Sequence, residues 1–255
     1  MEKKKQSRGV TRYLERIAPI GLLIPLVFEF VFNTLVYTGA KIIAGDWKHY
    51  NIETKLDLLI PFVPWTLVIY FGCYLFWAVN YILSIRGEEA DAWRFLSADF
   101  LAKCVCLICF LVFPTTNTRP DVTGSSVWDL GMRFLYKVDS ADNLFPSIHC
   151  LTSWFCYIGV RKKKEIPKWY RKFSFVMAVA VFVSTLTTKQ HVLYDVAAGA
   201  LLAELAYDMS KRTGFVKKYQ MFFERICNKG RYLSSDLKNG QKGRTESRPG
   251  RADEE

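Results

Sequence analysis

From Leu58 to Ile85 the chain runs without one charged residue. As a helix that stretch suffices to cross a bilayer, because a span takes about 20 largely apolar residues. Lipid offers the backbone no hydrogen-bond partner, so the run must satisfy its own amides and carbonyls, and a helix does so within one segment. Further apolar stretches lie at 17–40, 100–117, 145–160, 173–189 and 191–208, the last three short or interrupted. The expected fold class is all-α: a polytopic six-span transmembrane helix bundle occupying 17–209. Six Lys or Arg precede the first run, giving a basic cytoplasmic segment at 1–16. That run extends to Ala40 without a small-residue cleavage site, so it reads as a retained span rather than a signal peptide.

Charge sets the orientation. Lys and Arg crowd the flanks of alternate apolar runs, 28 on one side against 7 on the other, which accounts for all 35. The basic side is expected in the cytoplasm, with both termini. The run Arg161-Lys162-Lys163-Lys164 then reads as a topology anchor. A net charge of +11 gathered this way, in a chain 51% apolar, excludes a disordered body and speaks against nucleic acid as a partner. Over 210–228, Phe215, Tyr219, Phe222, Phe223 and Ile226 recur near helical spacing beside Lys217, Lys218 and Arg225. This predicts a short amphipathic helix on an anionic inner leaflet. The residues 229–255 are nearly free of apolar side chains and read as a disordered basic tail. The seven cysteines show no zinc spacing or disulfide framework and read as small apolar residues.

Two of the three histidines open apolar spans on the less basic side, while His49 sits in a polar loop. His149 follows Pro146-Ser147-Ile148, and Pro suits the first position of a helix. The amides of Ser147, Ile148 and His149 would then point from the helix end as an anion site. His191 stands four residues before Asp195, which on a helix shares its face. A carboxylate on one ring nitrogen fixes the tautomer and leaves the other prepared as a nucleophile. An intramembrane carboxylate costs roughly 2.5–3.5 kcal/mol and marks function by default. Arg119, just past the third run, carries a guanidinium fork suited to phosphate oxygens. Arg119, Ser147/His149 and Lys189/His191/Asp195 come from three connections that the charge count puts on one face.

These residues resemble the integral-membrane type 2 phosphatidic-acid phosphatases, relatives of vanadium haloperoxidases and bacterial acid phosphatases. That family's pattern is Lys, six residues, Arg-Pro; then Pro-Ser-Gly-His; then Ser-Arg, five residues, His, three residues, Asp. Here it appears as Arg119-Pro120, Pro146-Ser147-Ile148-His149, and Ser184 with His191 and Asp195. The resemblance implies His191 as nucleophile, Asp195 as its orienting partner and His149 as the acid for the leaving alcohol. It implies Arg119, Ser147 and the backbone at Ile148 as holders of phosphoryl oxygens, with no metal or cofactor. Val112, Ile148 and Thr185 stand where the family has Lys, Gly and Arg. Lys189, one helical turn past Thr185, is expected to replace a missing cation.

The expected function is a membrane phosphatase cleaving a phosphomonoester or pyrophosphate of a lipid through a phosphohistidine. Phosphatidate, phosphatidylglycerophosphate and prenyl pyrophosphate are the substrate classes. A head-group phosphotransferase of the sphingolipid-synthase type and a transporter or scaffold remain open. The expected location is a bacterial plasma membrane, with the site extracytoplasmic. Glu29 and Asn33, four apart in the first run, read as an interhelical polar contact, with a polar patch near the substrate as the alternative. The 121–142 segment, with Trp128 and Phe134, reads equally as an interfacial lid or a plain surface helix.

Overall fold

A computed structural model describes residues 19–227. The basic segment at 1–16 and the tail at 229–255 therefore lie outside the described residues. The elements in chain order are α1 (Ile20–Ala44), β1 (Tyr50–Asn51), α2 (Lys55–Leu59), a 3₁₀ turn (Pro64–Thr66), α3 (Leu67–Ser84) and α4 (Glu89–Val112). They continue with β2 (Thr115–Thr116), α5 (Val127–Val138), α6 (Ile148–Arg161), α7 (Lys168–Thr187) and α8 (Leu193–Arg212). A last helix, α9, covers 215–227.

Among the described residues the fold is all-helical apart from a two-residue parallel pairing of β1 with β2. Among the described residues four helices are long and apolar enough to cross a membrane: Gly21–Ala44, Pro64–Ser84, Glu89–Val112 and Lys168–Thr187. The sequence reading expects six, and α6 and α8 account for the difference. With 14 residues, α6 is only about 21 Å long. It sits in the middle of the bundle, packed on α3, α4, α7 and α8. α8 has the length but carries Asp195, Glu204, Asp208, Lys211 and Arg212.

The third apolar element also differs from expectation. α4 begins at Glu89, well before the expected start at 100, and it ends at Val112 rather than 117. Its charges disguise it in the sequence, but Arg94 and Lys103 find partners within the fold. The Arg94 guanidinium stacks 3.8 Å from the Tyr207 ring centroid and donates to the Tyr207 carbonyl. The buried Lys103 ammonium donates to Asp99 at 2.7 Å and lies 3.8 Å from the Glu29 carboxylate. Glu29 also accepts the Tyr219 hydroxyl. Glu29 is thus an interhelical contact, made to α4 and α9, whereas Asn33 lines a cavity.

That contact alters the reading of α9. Tyr219 and Phe223 are buried in the main core, against Phe28, Trp93 and Phe100. Phe222 and Ile226 are exposed. The aromatic set expected to lie on a leaflet is therefore divided, one part docked on α1 and α4 and the other turned outward.

Two close approaches bring the N-terminal ends of α6 and α8 together. Gly199 is buried, and a Cβ there would stand 2.6 Å from the Ser147 carbonyl oxygen and 3.1 Å from the Leu151 nitrogen. Only glycine lets the backbones meet so closely. One turn earlier on α8, the Asp195 carbonyl accepts the Ser147 amide at 3.1 Å. Among the small residues of α8, Gly199 and Ala203 are buried and Ala197 is exposed.

Candidate active site

Ser147, not Pro146, opens α6. It is the N-cap, and its hydroxyl oxygen accepts the Cys150 amide at 3.2 Å. Because the Ser147 amide is bonded to Asp195, it is not a free donor, contrary to expectation. The unpaired amides at this helix end are those of Ile148 and His149, the first two helical residues, which have no acceptor within the helix. Both residues line a cavity of about 270 Å³.

His191 lies on the far wall of that cavity, and the two imidazole centroids are 5.8 Å apart. His149 is held among aromatic rings, with Tyr70 at 4.6 Å, Trp77 at 5.5 Å and Tyr74 at 6.2 Å. Its Nε2 is buried and without a protein partner. His191 does not share a helix with Asp195, as the spacing implies, because α8 starts at Leu193. The chain leaves α7 through Lys189 in a left-handed conformation (φ 54°), and the Thr185 carbonyl accepts the amides of both Gln190 and His191. Asp195 is the third residue of α8, and its Oδ2 accepts the Val192 amide at 3.0 Å while lying 3.3 Å from His191 Nδ1. The imidazole and carboxylate meet as expected, through a helix cap rather than along a helix face.

The expected phosphate-binding cations are placed differently. The Arg119 guanidinium donates to the carbonyls of Asp139 and Ser140 and, at 2.6 Å, to Gln190 Oε1, and lies over the Tyr136 ring. It braces residues of the cavity wall without itself lining the cavity. Lys189 is turned away: its ammonium donates to the carbonyls of Asp57 at 2.9 Å and Ile60 at 2.6 Å. A short helix thereby clamps the loop carrying His191, since Asp57 Oδ1 also accepts the Leu193 amide at 2.7 Å. Position 185, where the family has Arg, is a buried Thr whose hydroxyl donates to the Phe182 carbonyl. Val112 ends α4 exposed.

Sequence reasoning missed several residues here. Asp139 lines the cavity and accepts the hydroxyls of Tyr37 and, at 2.7 Å, Tyr70. Burial works against its ionisation, but His149, the two hydroxyls and Arg119 outweigh burial and hold its carboxyl below the usual range. Asn33, Gln190, Asp142 and Asn143 share the wall. Only the cap signal at Ser126-x-x-Asp129, which places α5 and hence Asp139, was readable beforehand. Among the described residues, no three His, Cys, Asp or Glu gather as a metal site.

The PAP2 superfamily profile matches residues 61–209, from the turn before α3 to near the end of α8. The chain belongs to the PAP2 superfamily. The match spans both histidines, Asp195 and Arg119, and membership points to phosphatase-type chemistry on a phosphoric ester. No curated protein matches the chain closely.

Proposed function

We propose that this PAP2 protein hydrolyses a lipid phosphate ester or pyrophosphate at a site on the extracytoplasmic boundary of a membrane. The observation that carries the reading is the pair of imidazoles 5.8 Å apart on one cavity, one backed by a buried carboxylate. His191 Nε2 attacks phosphorus as the bond to the leaving oxygen breaks, and His149 gives that oxygen its proton. Water then gives a proton back to His149 as its oxygen attacks the phosphohistidine, freeing His191 and inorganic phosphate. Negative charge spreads over the equatorial oxygens in such a transfer, so fixed donors matter most. The amides of Ile148 and His149 supply donors at the positive end of α6. Arg119 is one bond away behind Gln190, and a phosphate entering the cavity competes with that amide for it. Every step uses nitrogen and oxygen groups of the chain, so turnover is expected to survive EDTA.

A second reading replaces water with an alcohol, giving head-group transfer, and one observation favours it. Asn33 Oδ1, Asp142 Oδ1, Gln190 Nε2 and both side-chain amide atoms of Asn143 are buried on the cavity wall without protein partners. Buried polar atoms normally have partners, and a hydroxyl-bearing acceptor would supply them beside the phosphorylated histidine.

The test is purified full-length protein in detergent with a panel of lipid phosphates. Phosphate release abolished in His191→Ala and blocked by vanadate supports hydrolysis, and label moving to an alcohol or second lipid supports transfer. Absence of both, in folded protein, supports a scaffold or transporter.

A further inference from the structure

At the end of the bundle away from the histidines, α6 and α7 form an open groove of about 530 Å³. We propose that it binds the phosphate headgroup of an anionic phospholipid, with an acyl chain laid along α7. The place follows from helix direction: α6 carries His149 at one end and Arg161 at the other, about 18 Å away.

Charge in the groove is of one sign and largely uncommitted. Arg161 is locked in a two-pronged pair with Glu204, which also accepts the Trp154 indole N–H at 2.9 Å. Lys168, Arg171 and Lys172 have no carboxylate partner among the described residues. Arg171 donates only to the Arg161 carbonyl, at 3.3 Å, and its Nε is buried without a partner. Three cations thus converge where a single acid is already spent. A positive end needed only to orient the chain could carry its charge anywhere on the 161–172 connection, whereas these line one groove.

The rest of the groove is apolar and leads toward the bilayer interior. Tyr157 packs edge-on to Phe175 at 5.2 Å and forms the floor with Val176. From Lys168 through Lys172 to Val176, Val179 and Val183, the spacing of three and four residues keeps the side chains on one face. Phe175, Val176, Val179 and Val183 are exposed, on a helix apolar enough to span a membrane. A phosphate at the cationic end and a hydrocarbon chain on this stripe match a phospholipid, and a free phosphate uses only half of the site. The volume lies within the few hundred to about 1,000 Å³ usual for small-molecule sites.

The test is native mass spectrometry of the full-length protein released from bilayers of phosphatidylglycerol and phosphatidylcholine in equal parts. One phosphatidylglycerol per chain is expected to remain bound, and retention should fall about tenfold or more in Arg171→Gln/Lys172→Gln, as loss of charge-assisted hydrogen bonds implies. The exposed Lys164→Gln, in the same basic stretch but outside the groove, should leave retention unchanged. Should the double variant not elute as a single species, the surface change Lys172→Gln alone gives the reading. Equal retention of the two lipids, retention indifferent to these changes, or an equal fall in Lys164→Gln overturns the proposal. Displacement of the lipid by millimolar inorganic phosphate overturns the lipid as the occupant.

Discussion

Oδ2 of Asp195 serves two donors at once, the Val192 amide at 3.0 Å and His191 Nδ1 at 3.3 Å. One oxygen caps α8 and holds the imidazole, so the start of that helix and the orientation of the proposed nucleophile are a single structure. Asp195→Asn keeps an oxygen for the cap but removes the charge that supports an imidazolium. It should lower kcat by about 10²–10⁴-fold with thermal stability nearly unchanged. Asp195→Ala also loses the cap, costing a further ~0.5–2 kcal/mol of stability. Steady-state rates and melting curves of the two variants separate the roles.

Lys189 and Asp57 are expected to act on the His191 loop rather than on substrate. Asp57→Ala leaves the Leu193 amide without its acceptor, and a buried unpaired donor costs about 1–3 kcal/mol. Lys189→Met strips two carbonyls of their donor. Both should lower kcat and Tm together with KM little moved. A rise in KM alone for Lys189→Met would make it a phosphate ligand after all.

These two residues show where the sequence was informative and where it was not. His149, His191 and Asp195 were legible because their geometry is set within a turn of their own helix starts. Gly199 joins those starts, but nothing local announces which backbone it will meet. One helical turn between Thr185 and Lys189 suggests a phosphate cation, yet a left-handed residue at 189 ends that helix and sends the ammonium to the Asp57 segment. The beginning of α4 is hidden because Arg94, Asp99 and Lys103 interrupt the apolar pattern, whereas in the bundle Lys103 pairs with Asp99 and lies beside Glu29, which is distant in sequence. Asp139 was silent for the same reason, its partners being Tyr37, Tyr70 and Arg119 from three other segments.

Asp139 gives a pH prediction with a definite sign. Its carboxyl is held below the usual range, so its folded pKa lies under the unfolded value of about 3.9. Its stabilisation is complete above that unfolded value and is lost as pH falls through the folded one. Wild type should therefore exceed Asp139→Asn in stability at neutral pH, with the gap closing only below about pH 4. Denaturant melts at several pH values check this, and a constant gap down to pH 3 would contradict it.

The outer face of α5 should sit in lipid. Val127, Leu130 and Phe134 are exposed on one stripe, while Leu135 on the other side packs with Leu67 and Tyr70 and lines the cavity. Phe134→Asp should slow turnover of long-chain substrate in vesicles about tenfold, as expulsion of a Phe from hydrocarbon implies. A short-chain soluble phosphate should be turned over at the wild-type rate. Equal loss with both substrates would make α5 a structural cover only.

Docking of α9 depends on the Tyr219 hydroxyl meeting Glu29. Tyr219→Phe leaves that buried carboxylate with Lys103 alone and should cost about 1–3 kcal/mol, read as a lower Tm. An unchanged Tm would mean that α9 is held by Phe223 and its aromatic neighbours without the hydrogen bond.

The central claim is that His191 takes the phosphoryl group while His149 protonates what leaves. The most direct measurement is a rapid alkaline quench of the enzyme turning over a ³²P-labelled lipid phosphate, followed by peptide mapping. The account predicts an acid-labile label on the peptide carrying His191, absent in His191→Ala and formed more slowly in His149→Ala. Turnover that continues in His191→Ala, or a label on any other side chain, would contradict it.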